Sequence, residues 1–86
     1  MTSAKSRQEA IDTLIMASLP FINAIRLSEY VTRHLSAPQN RYQIAVGAKL
    51  TASDIVSVLE ALVDDDLLAA TGDKDNPNVR LYCMLT

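Results

Sequence analysis

The chain has little with which to do covalent or metal chemistry. Its 86 residues include one cysteine, Cys83, and one histidine, His34. A lone cysteine excludes an intramolecular disulfide and leaves no cysteine cluster for zinc. His34 has no carboxylate or cysteine at metal-ligand spacing and reads as a surface or helix-end histidine. There is no phosphate-gripping glycine-rich loop, no nucleophile elbow and no H-E-x-x-H motif. No catalytic residue, no cofactor site and no metal ligand is assigned. The N-terminus carries no long apolar segment, which argues against a signal peptide or a membrane span. These absences set the expectation of a cytoplasmic protein that is not an enzyme and has no membrane partner.

What remains is an ordinary core-forming composition. Apolar residues make up 49% of the chain, and only two glycines and three prolines interrupt it. That is too apolar for global disorder and short enough for one domain with a modest core. The formal net charge is −2, unevenly placed. Residues 1–49 sum to +3 and residues 50–86 to −5. An approach to phosphate is therefore expected to use Arg26, Arg33, Arg41 or Lys49, with Asp54, Glu60 and Asp64–Asp66 opposing it.

The most informative stretch is residues 42–68. A short amphipathic run containing Ala45 is broken at Gly47-Ala48-Lys49-Leu50. Thr51 then opens a second run with Ile55, Val58, Leu59 and Leu62 on one face, the recurrence of a helix packed along one side. Thr51 fits an N-cap, because its hydroxyl can accept from a free amide of the first turn, and the charge of Asp54 suits a helix start. Two short helices around a tight turn suggest helix-turn-helix.

On these residues the chain resembles the winged-helix branch of the helix-turn-helix DNA-binding proteins. The matching parts are Ala45, the turn at Ala48-Lys49-Leu50, the cap Thr51, and Leu67-Leu68 leading into a β-hairpin. The resemblance covers residues 23–86. It departs from the family pattern at Lys49, where glycine is common; a left-handed turn there suits a lysine less well, and a different turn geometry is the alternative. It implies a mainly α fold with a small β-hairpin: a winged helix-turn-helix with an extra N-terminal helix. Residues 7–86 would form the single winged-helix domain, after a flexible N-terminus over residues 1–6.

Periodicity and punctuation place the remaining elements. A helix is expected from Arg7 to Ser18, with Ile11, Leu14 and Ile15 inward and Met16 and Leu19 widening the apolar surface, stopped by Pro20. A second helix over 24–35 would be capped by Asn23. Ile25, Ser28, Val31, Thr32 and Leu35 form its mixed row, broadened by Leu27 and Tyr30. Arg26 and Arg33 on that helix are either a pair of phosphate contacts or two solvated arginines, the second being the plainer reading. After the turn at Ser36–Asn40, Tyr42-Gln43-Ile44 fits either a helix beginning near Asn40 or a short strand. The hairpin is expected over Leu67–Thr71 and Val79–Leu85, around a polar tip. Val79, Leu81, Cys83 and Leu85 would form its buried face, alternating with Arg80, Tyr82 and Met84.

The resemblance supplies a docking mode, with the second helix of the motif in the major groove of double-stranded DNA. Arg41 and Lys49 then become phosphate contacts. Thr51, Ser53, Asp54 and Ser57 lie near base edges, and Arg80 is the wing contact. No Arg, Lys, Asn or Gln lies between Leu50 and Lys74, so the common bidentate base readers are missing from this helix. A DNA-binding transcriptional regulator acting as a homodimer is the first expectation, with either the N-terminal helix or the Tyr82/Met84 strand face as the dimer surface. The alternative is a winged-helix module for protein interaction or assembly, which the acidic second helix and Asp64-Asp65-Asp66 would suit.

Overall fold

The computed structural model describes residues 4–85. Its elements are α1 Ala4–Ser18, α2 Phe21–His34, β1 Gln39–Asn40, α3 Arg41–Ala48, α4 Ala52–Asp64, β2 Leu68–Gly72 and β3 Arg80–Met84. Four helices and a small antiparallel sheet give the winged helix-turn-helix arrangement. Of the loose stretch expected over residues 1–6, residues 4–6 are helical, and residues 1–3 lie outside the described range.

Pro20 does two jobs at the first junction. It cannot continue α1, and its φ of −56° and ψ of 151° make it the N-cap of α2. Its carbonyl accepts from the amide of Ala24 at 2.8 Å. Helix α2 therefore starts at Phe21, and Asn23, expected to cap it, lies within its first turn. The proline cap needs no side-chain oxygen, which is why the asparagine signal misled. Ala24, Leu27, Val31 and Leu35 form the buried row of this helix.

Asn40 settles the start of α3. Its side chain accepts from the Gln43 amide at 2.9 Å, and the Gln43 side chain accepts from the Asn40 amide at 2.9 Å. This reciprocal capping box satisfies two otherwise free amides. Tyr42-Gln43-Ile44 is therefore helical, and the β-element lies just upstream as β1. Two residues are too short to leave a periodic signature.

Helices α3 and α4 both end in the same hydrogen-bond pattern. After α3, Leu50 N–H donates to Ala45 at 2.9 Å and Lys49 N–H to Val46 at 3.2 Å. After α4, Leu67 N–H donates to Leu62 at 2.8 Å and Asp66 N–H to Val63 at 3.0 Å. These are the paired bonds of a Schellman ending, which needs one left-handed residue. Lys49 at φ 62° and Asp66 at φ 58° supply it, although glycine would adopt that conformation more easily. The sequence offered no glycine at either place, so a lysine holds the left-handed turn that it suits less well.

The sheet order is β1-β3-β2, antiparallel throughout. Leu68 pairs with Met84 and Ala70 with Tyr82, and this face turns inward. Tyr82 is 1% exposed and Leu68 2%, whereas Cys83 is only half-buried. The expected inner face of Val79, Leu81, Cys83 and Leu85 is thus corrected to the alternate one. Both sets in this strand carry large apolar side chains, with only Arg80 charged, so alternation could not choose between them. Leu68 chooses, because it is buried and shares the face of Met84 and Tyr82. Small Ala70 opposite Tyr82 leaves room for the ring.

Ile11 and Ile15 of α1, the α2 row, Ile44, Ala45 and Ala48 of α3, and Ile55, Val58, Leu59 and Leu62 of α4 complete one core. Each large aliphatic side chain there contributes about 1.5–3 kcal/mol by leaving water. The chain end is tied back where Met84 N–H donates to Leu35 at 2.8 Å and Arg7 donates to the Leu85 carbonyl at 3.2 Å.

Candidate nucleic-acid interface

The burial of one face of α4 decides what its other face can do. With Ile55, Val58, Leu59 and Leu62 inside, Ser53, Asp54 and Ser57 stand exposed, and the cap Thr51 beside them is exposed too. The Thr51 hydroxyl accepts from Asp54 N–H at 3.3 Å and lies 3.4 Å from the Ser53 hydroxyl. The start of α4 is therefore a short polar surface made of hydroxyls and one carboxylate. It can exchange hydrogen bonds with base edges or phosphates, but it has no cationic group of its own.

The cations stand around it in two groups. Arg41 opens α3, its Nη2 3.0 Å from the Tyr42 hydroxyl and its guanidinium 5.0 Å from the Tyr42 ring centroid. That contact orients a planar donor without neutralising it. Arg41 shares a cavity of about 210 Å³ with Asn40, Tyr42, Asn78, Arg80 and Tyr82. The fold thus brings together the two arginines that sequence had assigned to the motif and to the wing. Lys49 is not with them. It closes the opposite end of α3, about 10–12 Å away by helix rise, beside Arg26 and Arg33 of α2.

Arg80 is the most constrained of the group. Its Nε lies 2.6 Å from Glu60 Oε2, and the Tyr82 hydroxyl donates to the same oxygen. Partial burial pushes the Glu60 carboxyl up. The hydrogen bonds from Tyr82 and Arg80, with the guanidinium charge, outweigh that and leave it below its ordinary range. The Tyr82 hydroxyl is pushed up to about 12, by burial first and by Glu60 next. The charge of Arg80 is accordingly partly compensated by Glu60. Sequence gave no sign of this trio, because its members are far apart in the chain and joined only by packing.

Tyr42 and Asn78 line the same cavity as Arg41 and Arg80, and the sequence did not single them out. Their one available signal was adjacency, Tyr42 to Arg41 and Asn78 to the wing strand. Among the described residues no group of His, Cys, Asp and Glu is arranged to hold a metal ion, and no helix is long and apolar enough to cross a membrane.

No protein-family model matches the chain, and no curated protein sequence does. Solved structures do. A mutant of MepR from S. aureus superposes over 96% of this chain with a TM-score of 0.61 at 14% identity. A probable transcriptional regulator from Pseudomonas aeruginosa superposes over 94% with a TM-score of 0.57 at 16% identity. The chain spans about 60% of the length of each, 60% and 62% respectively. At these identities the likeness is one of fold, and it agrees with the winged-helix assignment made from the elements.

Proposed function

We propose that the chain is a non-enzymatic transcriptional regulator that binds duplex DNA through α4 and its flanking cations, acting as a homodimer. The observation that carries this reading is the uncovered polar start of α4, with Arg41 and Arg80 grouped on one side of the motif and Lys49 at its turn. Thr51, Ser53 and Ser57 would face the major groove, with Asp54 able to accept from cytosine N4. The folds of the two regulators named above add support.

Binding should be weak and salt-sensitive, because α4 lacks bidentate base readers. Neutralising Arg41 and Lys49 together with glutamine should lower affinity on every duplex tested and reduce the salt slope by about 2. Changing Ser53 or Ser57 should alter sequence preference instead. Selection of genomic fragments at low and moderate salt, then titration of enriched duplexes, measures both. No enrichment at low salt from folded protein would defeat the proposal.

The dimer surface we assign is the edge where α1 meets α2. Met16, Phe21 and Ile22 are 42%, 64% and 57% exposed there. The Tyr82/Met84 strand face is no longer available, since Tyr82 is buried and Met84 packs against the core. Sedimentation equilibrium should give twice the chain mass at micromolar concentration, and Phe21→Ser should return it to the monomer mass.

The alternative reading, a protein-interaction module, draws on a different observation. Tyr42 and Val46 stand one helical turn apart on α3, 59% and 80% exposed. A folded protein that ignores DNA and recovers a stable protein partner through this stripe would favour it.

A further inference from the structure

On α2, Arg26 and Arg33 lie two turns apart on one face, with Glu29 and Tyr30 between them. The turn after α3 faces this stripe, and the two elements enclose an open cleft of about 280 Å³ lined by Arg26, Glu29, Tyr30, Arg33, His34 and Lys49. Its floor is fixed. The Tyr30 ring lies so close to Gly47 that an added Cβ would sit 2.2 Å from it. The Tyr30 hydroxyl donates to Gln39, and the ring lies 4.8 Å from that of His34.

The side chains of Arg26, Arg33 and Lys49 have no hydrogen-bond or ion-pair partner among the described residues. Glu29, in the same cleft, pairs with none of them. A helix C-terminus accounts for a cation at Arg33. It does not account for Arg26 two turns upstream, nor for Lys49 arriving from another element. Three uncompensated cations and one carboxylate leave a local charge of +2 at neutral pH. That balance favours an anion of more than one negative charge with several acceptor oxygens.

We propose that this cleft is a phosphate-binding site, separate from the Arg41/Arg80 cavity and joined to the DNA-facing surface only through Lys49. The phosphate has two possible sources, a free phosphorylated small molecule or the backbone of a bound duplex. A free ligand does not require the DNA-binding reading to hold. If both readings hold, such a ligand competes with DNA for Lys49.

Amide chemical shifts of the full chain, titrated with pyrophosphate at constant ionic strength against a chloride control, test the proposal. Saturable shifts centred on residues 26–34 and 47–49 are expected. Arg33→Gln should weaken them about ten-fold, the loss of a charge-assisted contact, while Arg41→Gln leaves them unchanged. Arg26 and Arg33 are exposed, so these variants should fold. That result identifies a free ligand. If pyrophosphate gives no saturation but a short duplex moves the same amides, and Arg26→Gln/Arg33→Gln removes that effect alone, the site is read by the DNA backbone. Shifts centred on Arg41 and Arg80, affinity unchanged in the double variant, or pyrophosphate shifts equal to those in chloride together with no response of these amides to a duplex would each overturn the proposal.

Discussion

The two helices of the motif end alike and mean different things. After α3 and after α4 the same pair of backbone bonds closes the helix over one left-handed residue. At the first ending that residue is Lys49, beside two arginines and a cleft. At the second it is Asp66, the last of three exposed aspartates. Geometry is common to both, and charge separates them. The Asp64-Asp65-Asp66 run, unfavourable at a helix C-terminus on electrostatic grounds, has at least one structural reason. Aspartate tolerates the left-handed region better than most residues, so Asp66 can make the turn where no glycine is present.

The largest effect should come from the residues two places before each turn, Gly47 and Asp64. Alanine normally favours a helix over glycine by about 1 kcal/mol. At Gly47 its Cβ would meet the Tyr30 ring at 2.2 Å, and that ring is pinned through Gln39. Gly47→Ala should therefore cost about 1–2 kcal/mol net and loosen α2 from α3. Asp64→Ala meets no neighbour and removes a charge from a helix end, so it should gain about 0.3–0.5 kcal/mol. Urea midpoints with unchanged slopes measure both. Midpoints that move in the same direction by similar amounts would break the contrast between a packed ending and an open one.

The turn residues sharpen it further. Lys49→Gly should stabilise by about 0.5–1 kcal/mol, relieving a left-handed lysine at some cost in unfolded-state entropy. Asp66→Gly should gain less, under about 0.5 kcal/mol, because aspartate is less strained there. Function should divide them more sharply than stability. Lys49→Gly is expected to lose DNA affinity while becoming more stable, and Asp66→Gly to keep or slightly raise it. Thermal melts paired with a duplex titration test this. A lysine variant that melts higher and binds as before would show that Lys49 does not touch the ligand.

How much of this was legible in the sequence follows from what each signal encodes. The α4 stripe of Ile55, Val58, Leu59 and Leu62 was readable because a one-sided helix writes its period into the chain. Thr51 was readable as a cap for a local reason of the same kind, as was the stop at Pro20. Strand β3 was readable as a strand but not as to its inward face, since apolar residues occupy both alternations and Leu68, twelve residues upstream of Arg80, decides. Strand β1 was too short to show. In the site, the individual cations were visible, and their grouping was not. Arg41 meets Arg80 only because β1 pairs with β3, and Lys49 meets Arg26 and Arg33 only because Gly47 lets α2 and α3 approach closely.

The smallest expected effect concerns the link between the acidic helix and the wing. Glu60 of α4 holds both Arg80 and Tyr82 of β3, so the second half of the motif is tied to the sheet by charge. Its carboxyl lies below the ordinary range: burial raises it, and its two donors with the guanidinium charge more than reverse that. A carboxyl depressed in the fold releases its proton more readily there than in the unfolded chain. Its contribution is thus complete above the unfolded value and is lost as pH falls through the depressed folded one. Tyr82 works at the other end of the scale. Raised to about 12, it contributes fully below the ordinary tyrosine value near 10, and that contribution disappears as pH rises toward about 12. The Arg80 and Glu60 side chains are 49% and 36% exposed, so solvent screening holds the ion pair to less than about 1 kcal/mol. Glu60→Gln should therefore flatten the acid limb of stability against pH without moving the neutral plateau by more than about that amount. Tyr82→Phe should flatten the alkaline limb. Urea midpoints between about pH 3 and 7 for the first, and about pH 9 and 11 for the second, give the readout. An unchanged acid limb in Glu60→Gln would mean that the wing is held to α4 by the buried face of β3 alone.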